Sequence, residues 1–432
     1  MLSDDDQVLA SRDAALPGLA QVLDPAFVLD HLRRHGAELP ADTAVRGFYI
    51  RYKPATSCLV AYRLEGPDPS AFVTLRLHRS ADRDKAAKPL SRPDPVRSFG
   101  LVPFLSETPL LLTLPFPNDH ELKPLCRLED PCTRQRLLAG LLPAWTDEIP
   151  CRLQPLAYKP ERRFVARLQR AGGDSAVLRL YDRRSFARSA ASHQLQASLC
   201  RSAGPQLLAV DAQRRAIVSE WIPGQPLSAG PASDAALFAT LGASLARFHR
   251  DSAAATPPQA TASFLARLQE CAADLEVLLP EQQASLSLLV QRLQQACAAG
   301  LEQPGACCLI HGDFSPDQVV LTPQGPRLID FDRARLSHAL HDLASFLARL
   351  EADHACGRLA REDRDRLSPA FLAGYLSGST ALPRALVAPL VAAQLFLLAS
   401  EPFRQRAPAW RSGVTAILER VWTLLERDPY DV

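Results

Sequence analysis

Two hydrophobic rhythms divide the chain. Between residues 44 and 227, apolar and polar residues alternate in short runs broken by turn residues, a period of two that predicts antiparallel strands. The runs recur. Tyr52-Lys-Pro54 leads to Ala61-Tyr-Arg-Leu64 and Phe72-Val-Thr-Leu-Arg-Leu77. Tyr158-Lys-Pro160 leads in the same order to Val165-Ala-Arg-Leu168 and Ala176-Val-Leu-Arg-Leu180. Each copy continues into a candidate strand, Gly100 to Leu105 in the first and Gln206 to Val210 in the second. An apolar strand ending at a proline-containing turn follows, Leu110 to Pro117 and Ala216 to Pro223. Each copy closes on a short leucine-bearing segment, Glu121 to Leu125 and Gln225 to Leu227. This order predicts a β-rich unit present twice, the bland alternative being chance recurrence of Tyr-Lys-Pro in a proline-rich chain.

Asp130 to Ala144 has a helical pattern and predicts a linker between the copies. Beyond residue 228 the period becomes helical, over 234–250, 259–278, 281–299, 339–352, 364–376, 383–400 and 412–426. Ser233 is placed to cap the first of these helices, and Pro304-Gly305 to break the chain after the third. Asp251 to Thr261 reads as a loop.

Composition narrows the class. With 432 residues the chain is long enough for two or three domains with cores of their own. Hydrophobic residues at 47% and charged residues at 22% describe an ordinary globular chain and exclude a disordered one. A net charge of +2 gives no argument for nucleic acid or for an anionic membrane surface, so neither partner is expected. No apolar run approaches the ~20 residues of a membrane span, and Leu110 to Phe116 fits a buried strand. The ten cysteines show no Cys-x-x-Cys spacing, and Met1 to Asp6 is acidic and polar. Reduced thiols in a cytoplasmic protein are the expectation.

The chemistry concentrates in Leu309-Ile-His-Gly-Asp-Phe-Ser-Pro-Asp-Gln-Val-Val-Leu321 and in Leu328-Ile-Asp-Phe-Asp332. A carboxylate, Asp313, sits in a loop five residues before the side-chain amide of Gln318. A hairpin-length spacer then leads to a second carboxylate, Asp330, at the end of an apolar run. Phosphoryl transfer requires such a set: one carboxylate to orient or deprotonate a hydroxyl, and an amide and a second carboxylate to hold Mg²⁺ against a triphosphate. Asp313 is the candidate catalytic residue, with capping of the turn at Ser315 and Pro316 as the structural alternative. Gln318 and Asp330 are the candidate metal ligands. Gln318 is one methylene longer than Asn, and Mg²⁺ tolerates geometric error poorly.

These residues resemble the aminoglycoside phosphotransferase and choline kinase family, small-molecule relatives of the protein kinases. His311, Gly312 and Asp313 match the family's catalytic His-Gly-Asp, with Gln318 where Asn is expected. Asp330 matches the metal Asp, and Asp342-Leu-Ala344 the motif that opens a helix under the site. Leu245-Ala-Arg-Phe-His249 resembles a helix that ends in Leu-His, with Phe248 in place of that Leu. The resemblance spans roughly residues 156 to 432. It implies an α+β, protein-kinase-like fold with a duplicated β-rich N-lobe unit and a mainly helical C-lobe. The expected divisions are 1–150, an N-terminal β-rich unit with a linker helix; 151–227, the N-lobe; and 228–432, the C-lobe.

The resemblance further implies ATP and Mg²⁺ as cofactors and a small polar acceptor bearing a hydroxyl: an aminoglycoside, a sugar or a choline-like amine. His311 matches the family loop, with loop fixation the expected role and proton transfer the lesser one. The family's strand Lys is replaced by Arg179, and no acidic residue lies between 183 and 210 to partner it; His193 or Gln194 stands in the place of the family's Glu. The turn Lys159-Pro-Glu-Arg-Arg163 lacks the family's glycines, leaving Lys159 and its arginines as candidate phosphate contacts. Glu220, Trp221 and Ile222 match the hinge that lines the adenine. The missing Lys–Glu pair keeps a second reading open, a pseudokinase-like nucleotide-binding or regulatory module without phosphotransfer. The cluster Glu401 to Trp410 is expected mainly to pack, with substrate contact as its sharper alternative.

Overall fold

The computed structural model describes residues 2–66, 71–92, 94–145, 151–170, 172–200, 203–253, 260–301, 307–378, 384–427 and 430. They form two compact units. The first comprises 1–186, 208–219 and 402–411; the second comprises 187–207, 220–401 and 412–432. Pro304-Gly305 and most of the 251–261 loop lie outside the described residues.

The first unit opens with three short helices, α1 (Asp4–Ser11), α2 (Leu19–Leu23) and α3 (Pro25–Arg34). Asp24 caps α3 by accepting from the Ala26 amide, with Pro25 at the first helical position, where a missing N–H costs nothing. Then come β1 (Ala44–Lys53), β2 (Ser57–Glu65), β3 (Phe72–His78), α4 (Arg83–Ala87), β4 (Phe104–Glu107) and β5 (Leu110–Pro115). After α5 (Pro131–Leu141) the second set follows: β6 (Arg152–Lys159), β7 (Arg163–Gln169), β8 (Ser175–Tyr181), β9 (Leu207–Asp211) and β10 (Ala216–Glu220), with α6 (Arg183–Leu199) between β8 and β9 and mostly part of the second unit.

The sheet orders are β1-β2-β3-β5-β4 and β6-β7-β8-β10-β9, so the duplication read from the sequence is a duplication of topology. The hairpins agree in register: Lys53 faces Ser57 and Lys159 faces Arg163 across turns of equal length. Ala55 and Glu161, at the middle of these turns, both take left-handed φ, 50° and 58°. The strand expected over Gly100 to Leu105 starts only at Phe104; Ser98 and Leu101 pair as a tight isolated bridge instead. Both sheets share one core, running from Phe72 and Phe116 to Tyr158, Phe164 and Val218. Phe116 meets Tyr158 edge-on at 5.2 Å, an orientation aromatic quadrupoles favour.

Residues 402–411 also belong to this unit. The buried Asp6 accepts from both terminal nitrogens of Arg406, at 2.9 and 2.8 Å, and from Trp410 Nε1 at 3.1 Å. The aromatic cluster near the C-terminus therefore packs, as its simpler reading expected.

The second unit is mainly helical. It contains the two-residue strand β11 (Gln225–Pro226), α7 (Ala235–Asp251), α8 (Ala260–Leu278) and α9 (Gln283–Leu301). Then follow β12 (Cys307–Ile310), β13 (Val319–Thr322), β14 (Gly325–Leu328), β15 (Arg335–His338), α10 (Leu340–Ala355), α11 (Arg361–Ser377) and α12 (Val387–Leu398). All but the first residue of α13 (Glu401–Arg404) belongs to the first unit, and most of α14 (Trp410–Glu426) to the second. The cap of α7 is Asp234, which accepts from the Ala236 amide; Ser233, the expected cap, holds the preceding turn through Gly230 and Ser228. Gly242 and Gly374 let α7 and α11 touch backbone to backbone, since a Cβ at either would collide with a carbonyl of the other helix. Among the described residues no helix is long and apolar enough to cross a membrane.

Candidate active site

In the second unit, antiparallel β12 and β15 pair Ile310 with Arg335 and launch the loop that holds His311, Gly312 and Asp313. Gly312 has φ +82°, a left-handed conformation that burdens any residue with a Cβ. A Cβ there would also press on the Arg333 carbonyl and on Arg335 Nη1, the latter at 2.6 Å. Phe314 is buried and stacks on Phe346 of α10 at 5.3 Å, and Phe346 stacks on Phe371 of α11 at 4.0 Å. The loop is thus pinned on both sides of Asp313.

Asp342, in the first turn of α10, is the anchor. Fully buried, it accepts from the amides of His311 (2.6 Å) and Gly312 (2.8 Å) and from His249 Nε2 (3.1 Å). His249 Nδ1 in turn meets Tyr375 Oη at 2.8 Å. Burial pushes the Asp342 carboxyl up, but the hydrogen bond from His249, the nearby His311 and the Gly312 amide outweigh it and hold it below the usual range. Two remote sequence motifs, the His that ends α7 and the Asp-Leu-Ala of α10, thereby meet on one carboxylate. The tight α7–α11 contact sets the position of His249 against Tyr375.

His311 is tied into the loop by its own side chain. It is buried, and its Nε2 lies 2.7 Å from the Ile329 carbonyl. A carbonyl only accepts, so Nε2 carries the proton. Its ring also lies 4.9 Å from that of Phe331. The Ile329 amide donates to the Gln318 carbonyl at 3.0 Å. The His311–Asp313 loop, the Gln318 turn and the segment carrying Asp330 are therefore one hydrogen-bonded assembly.

Asp313 is half exposed and receives Arg333 Nη1 at 3.1 Å. It does not cap the turn at Ser315, where Asp317 accepts from Ser315 Oγ at 2.5 Å and from Gln318 Nε2 at 2.9 Å. With its NH₂ on Asp317, the Gln318 amide keeps its oxygen as a donor for a hard cation. Asp330 has φ +65°, a strained conformation of a kind found at functional positions. Among the described residues no group of three or more His, Cys, Asp and Glu gathers to cage a metal. One carboxylate and one amide oxygen suit Mg²⁺, which keeps waters and takes its remaining ligands from phosphates. His193 of α6, buried, sits 3.0 Å from Asp332 Oδ1. It thereby ties α6 to the segment that carries Asp330.

Glu220 commits its own amide to the Gln206 carbonyl at 2.8 Å and its carboxylate to the Gln206 amide at 3.0 Å. Trp221 is half-buried and Ile222 buried.

In the first unit, Arg179 is buried and donates from Nη1 to Ser219 Oγ at 2.8 Å, while Lys159 is exposed. Arg162 lies 3.6 Å from Asp182. The turn that replaces the glycine-rich loop is clamped: Asp119 Oδ2 accepts from both Tyr158 Oη and the Glu161 amide. The Glu161 side chain enters the first sheet. There it pairs with Arg51 and with Arg76 at 2.6 Å, and lies 3.2 Å from His120 Nδ1. Arg76 is the counterpart of Arg179 in the first copy, so the first sheet's equivalent cation already holds an internal carboxylate. Asp119, Glu161 and Arg267 of α8 had escaped the sequence reading. For the first two, the recurring Tyr-Lys-Pro was the available signal.

This geometry has relatives. A choline kinase from Cryptosporidium parvum shares the fold with a TM-score of 0.52 at 13% identity, over 69% of this chain and 97% of that one. An amicoumacin kinase solved with AMP-PNP, Ca²⁺ and Ami gives 0.51 at 15% identity, over 71% of this chain and 97% of that one. The fold is α+β and protein-kinase-like. No curated protein matches the chain. The profile of the phosphotransferase enzyme family matches residues 156–388, more than half of the sequence, and the chain belongs to that family. The match begins within β6, leaving the first sheet outside it.

Proposed function

We propose that the protein transfers the γ-phosphoryl group of ATP to a hydroxyl of a small polar molecule. Asp313 orients the hydroxyl and takes its proton as the acceptor oxygen bonds to phosphorus. The bond from phosphorus to the ADP oxygen breaks, and ADP leaves. Asp330 and the Gln318 oxygen would hold Mg²⁺, which supplies charge neutralisation on the phosphates when bound. The chain itself contributes positioning, which dominates catalysis of this reaction class.

The observation that carries this reading is the anchoring of the loop by Asp342. Two backbone amides and an imidazole converge on one buried carboxylate, an arrangement worth about 1.5–3 kcal/mol per charge-assisted bond. Such rigidity is what a group that must meet a hydroxyl within about half an ångström needs. The ten cysteines are all free thiols, in keeping with a cytoplasmic setting.

A second reading, nucleotide binding without transfer, draws on the clamped turn at 160–162, which has no glycine and whose Glu161 amide is already bonded to Asp119. Calorimetric titration with ATP, with and without Mg²⁺, followed by ADP release assays over an acceptor panel, separates the two. Mg²⁺-dependent binding with acceptor-stimulated ADP release supports the transferase. Binding that ignores both Mg²⁺ and acceptor supports the module.

A further inference from the structure

The surroundings of Asp313 are basic. Arg333 Nη1 lies 3.1 Å from its carboxylate. Arg335 is paired in register with Ile310, immediately before the loop, and its Nη1 donates to the Arg333 carbonyl at 3.3 Å. Arg267 comes from α8, three residues after Phe264, whose ring packs 4.7 Å from that of His341 beside Asp342. Arg267 and Arg335 are half-buried, and burial depresses the protonation of both. Arg333 and Arg335 depress Arg267 further, with Asp313 opposing; Asp342 opposes the effect on Arg335, where Arg333 and Arg188 depress. Among the described residues the carboxylates that act most strongly on the two are Asp313, which opposes the effect on both, and Asp342. Asp342 is committed to His249 and to the amides of the loop. Among the described residues that leaves Asp313 as the carboxylate seen to serve Arg267, Arg333 and Arg335.

We propose, building on the transferase reading, that the hydroxyl acceptor is itself an anion, a small alcohol or polyol bearing phosphate or carboxylate, held by Arg267, Arg333 and Arg335. Guanidinium forks match both oxyanions in a planar, bidentate manner. Half-buried positive charge short of counter-charge gains most from such a ligand. The pair between Arg333 and Asp313 is half exposed, so it is cheap to open. An arriving anion takes Arg333 and releases Asp313 to face the acceptor hydroxyl. A choline-like amine or an aminoglycoside, both cationic, meets repulsion from the same three groups.

The test uses the full chain and inorganic phosphate as the probe, titrated calorimetrically with ADP and Mg²⁺ at saturation to occupy any nucleotide site. Saturable phosphate binding is expected, weakened about tenfold in Arg267→Gln and less in Arg267→Lys, with ADP affinity held in both. Phosphate that fails to saturate, or that binds Arg267→Gln as it binds the parent, overturns the proposal. In turnover, glucose 6-phosphate and gluconate are compared with glucose and glucosamine, which separates phosphate from carboxylate as the recognised group. Faster phosphorylation of glucosamine than of both anions overturns it. If ATP never binds while phosphate binding still depends on Arg267, the transferase reading falls and the anion site stands.

Discussion

Tyr158 Oη donates to Asp119 Oδ2 at 2.9 Å, and the same oxygen accepts the Glu161 amide at 2.7 Å. Asp13 repeats both bonds in the first sheet, with Tyr52 Oη at 2.7 Å and the Ala55 amide at 2.9 Å. Each Tyr-Lys-Pro hairpin is thus closed by a carboxylate supplied from outside its own two strands. Where a glycine-rich turn would offer free amides to phosphate, these turns spend theirs on an internal anion.

Tyr158→Phe should destabilise the first unit by about 1–2 kcal/mol, since one buried hydrogen bond is lost. Asp119→Ala should cost more, about 3 kcal/mol, because it strands both the hydroxyl and the amide. Urea unfolding of the two variants gives the ranking. Equal costs would mean that the Glu161 amide finds another acceptor.

Glu161 makes stability depend on acid. Burial raises its carboxyl, but the hydrogen bond with His120 and the guanidinium groups of Arg76 and Arg51 prevail and bring it to about 2, from 4.5. A depressed folded value means that this stabilisation is complete above pH 4.5 and lost as pH falls through about 2. Glu161→Gln should therefore lose on the order of 3 kcal/mol near neutrality. The gap between parent and variant should narrow below pH 4.5. Melting curves at several pH values read it directly, and a gap that stays constant into acid would remove Glu161 from the account.

Asp313→Ala should abolish phosphoryl transfer while ATP affinity stays within a few fold, because Asp313 is not one of the proposed metal ligands. Asp330→Ala should instead weaken Mg²⁺-dependent nucleotide binding. Turnover assays and titrations on the same preparations tell the two losses apart. Full turnover by Asp313→Ala would exclude it as the catalytic residue.

Asp342→Asn keeps the shape but gives up the charge that His249 and two amides converge on. A loss of about 3–5 kcal/mol of stability is expected. Gly312→Ala should lower kcat through strain at φ +82° and the clash with Arg335, leaving nucleotide affinity largely intact. A Gly312→Ala enzyme with normal kcat would show that the loop can relax around a methyl group.

Arg179→Ala should weaken ATP binding about tenfold if its guanidinium serves phosphate, with Arg179→Lys retaining part of the affinity. Its burial and its bond to Ser219 mean that both variants must first be shown to be folded. Unchanged ATP affinity in a folded Arg179→Ala would favour the non-catalytic reading.

The candidate chemistry and the duplication could be read from the sequence because both are local. Asp313, Gln318 and Asp330 fall within one short stretch, and alternation with turn residues gives strands wherever it occurs. The helix cap was misread by one residue for a related reason. Ser233 and Asp234 are both good caps, and only the path of the preceding turn makes Asp234 the one that reaches Ala236. The Asp-Leu-Ala and Phe-His motifs were visible, but not that Asp342 and His249 bond to each other.

What the sequence determined by itself was the order of elements and the set of candidate reactive groups, since backbone periodicity and residue chemistry need no distant partner. Tertiary structure alone decided which buried face meets which. Alternation marks a face as buried without naming its neighbour, so nothing local showed that Glu161 would reach Arg76, 85 residues away. Nor did spacing show that α8 would bring Arg267 toward Asp313. Burial then fixed the electrostatics. Arg267 and Arg335, ordinary cations on a solvated surface, are half-buried here beside Arg333, and that burial is the basis of the proposed anion site.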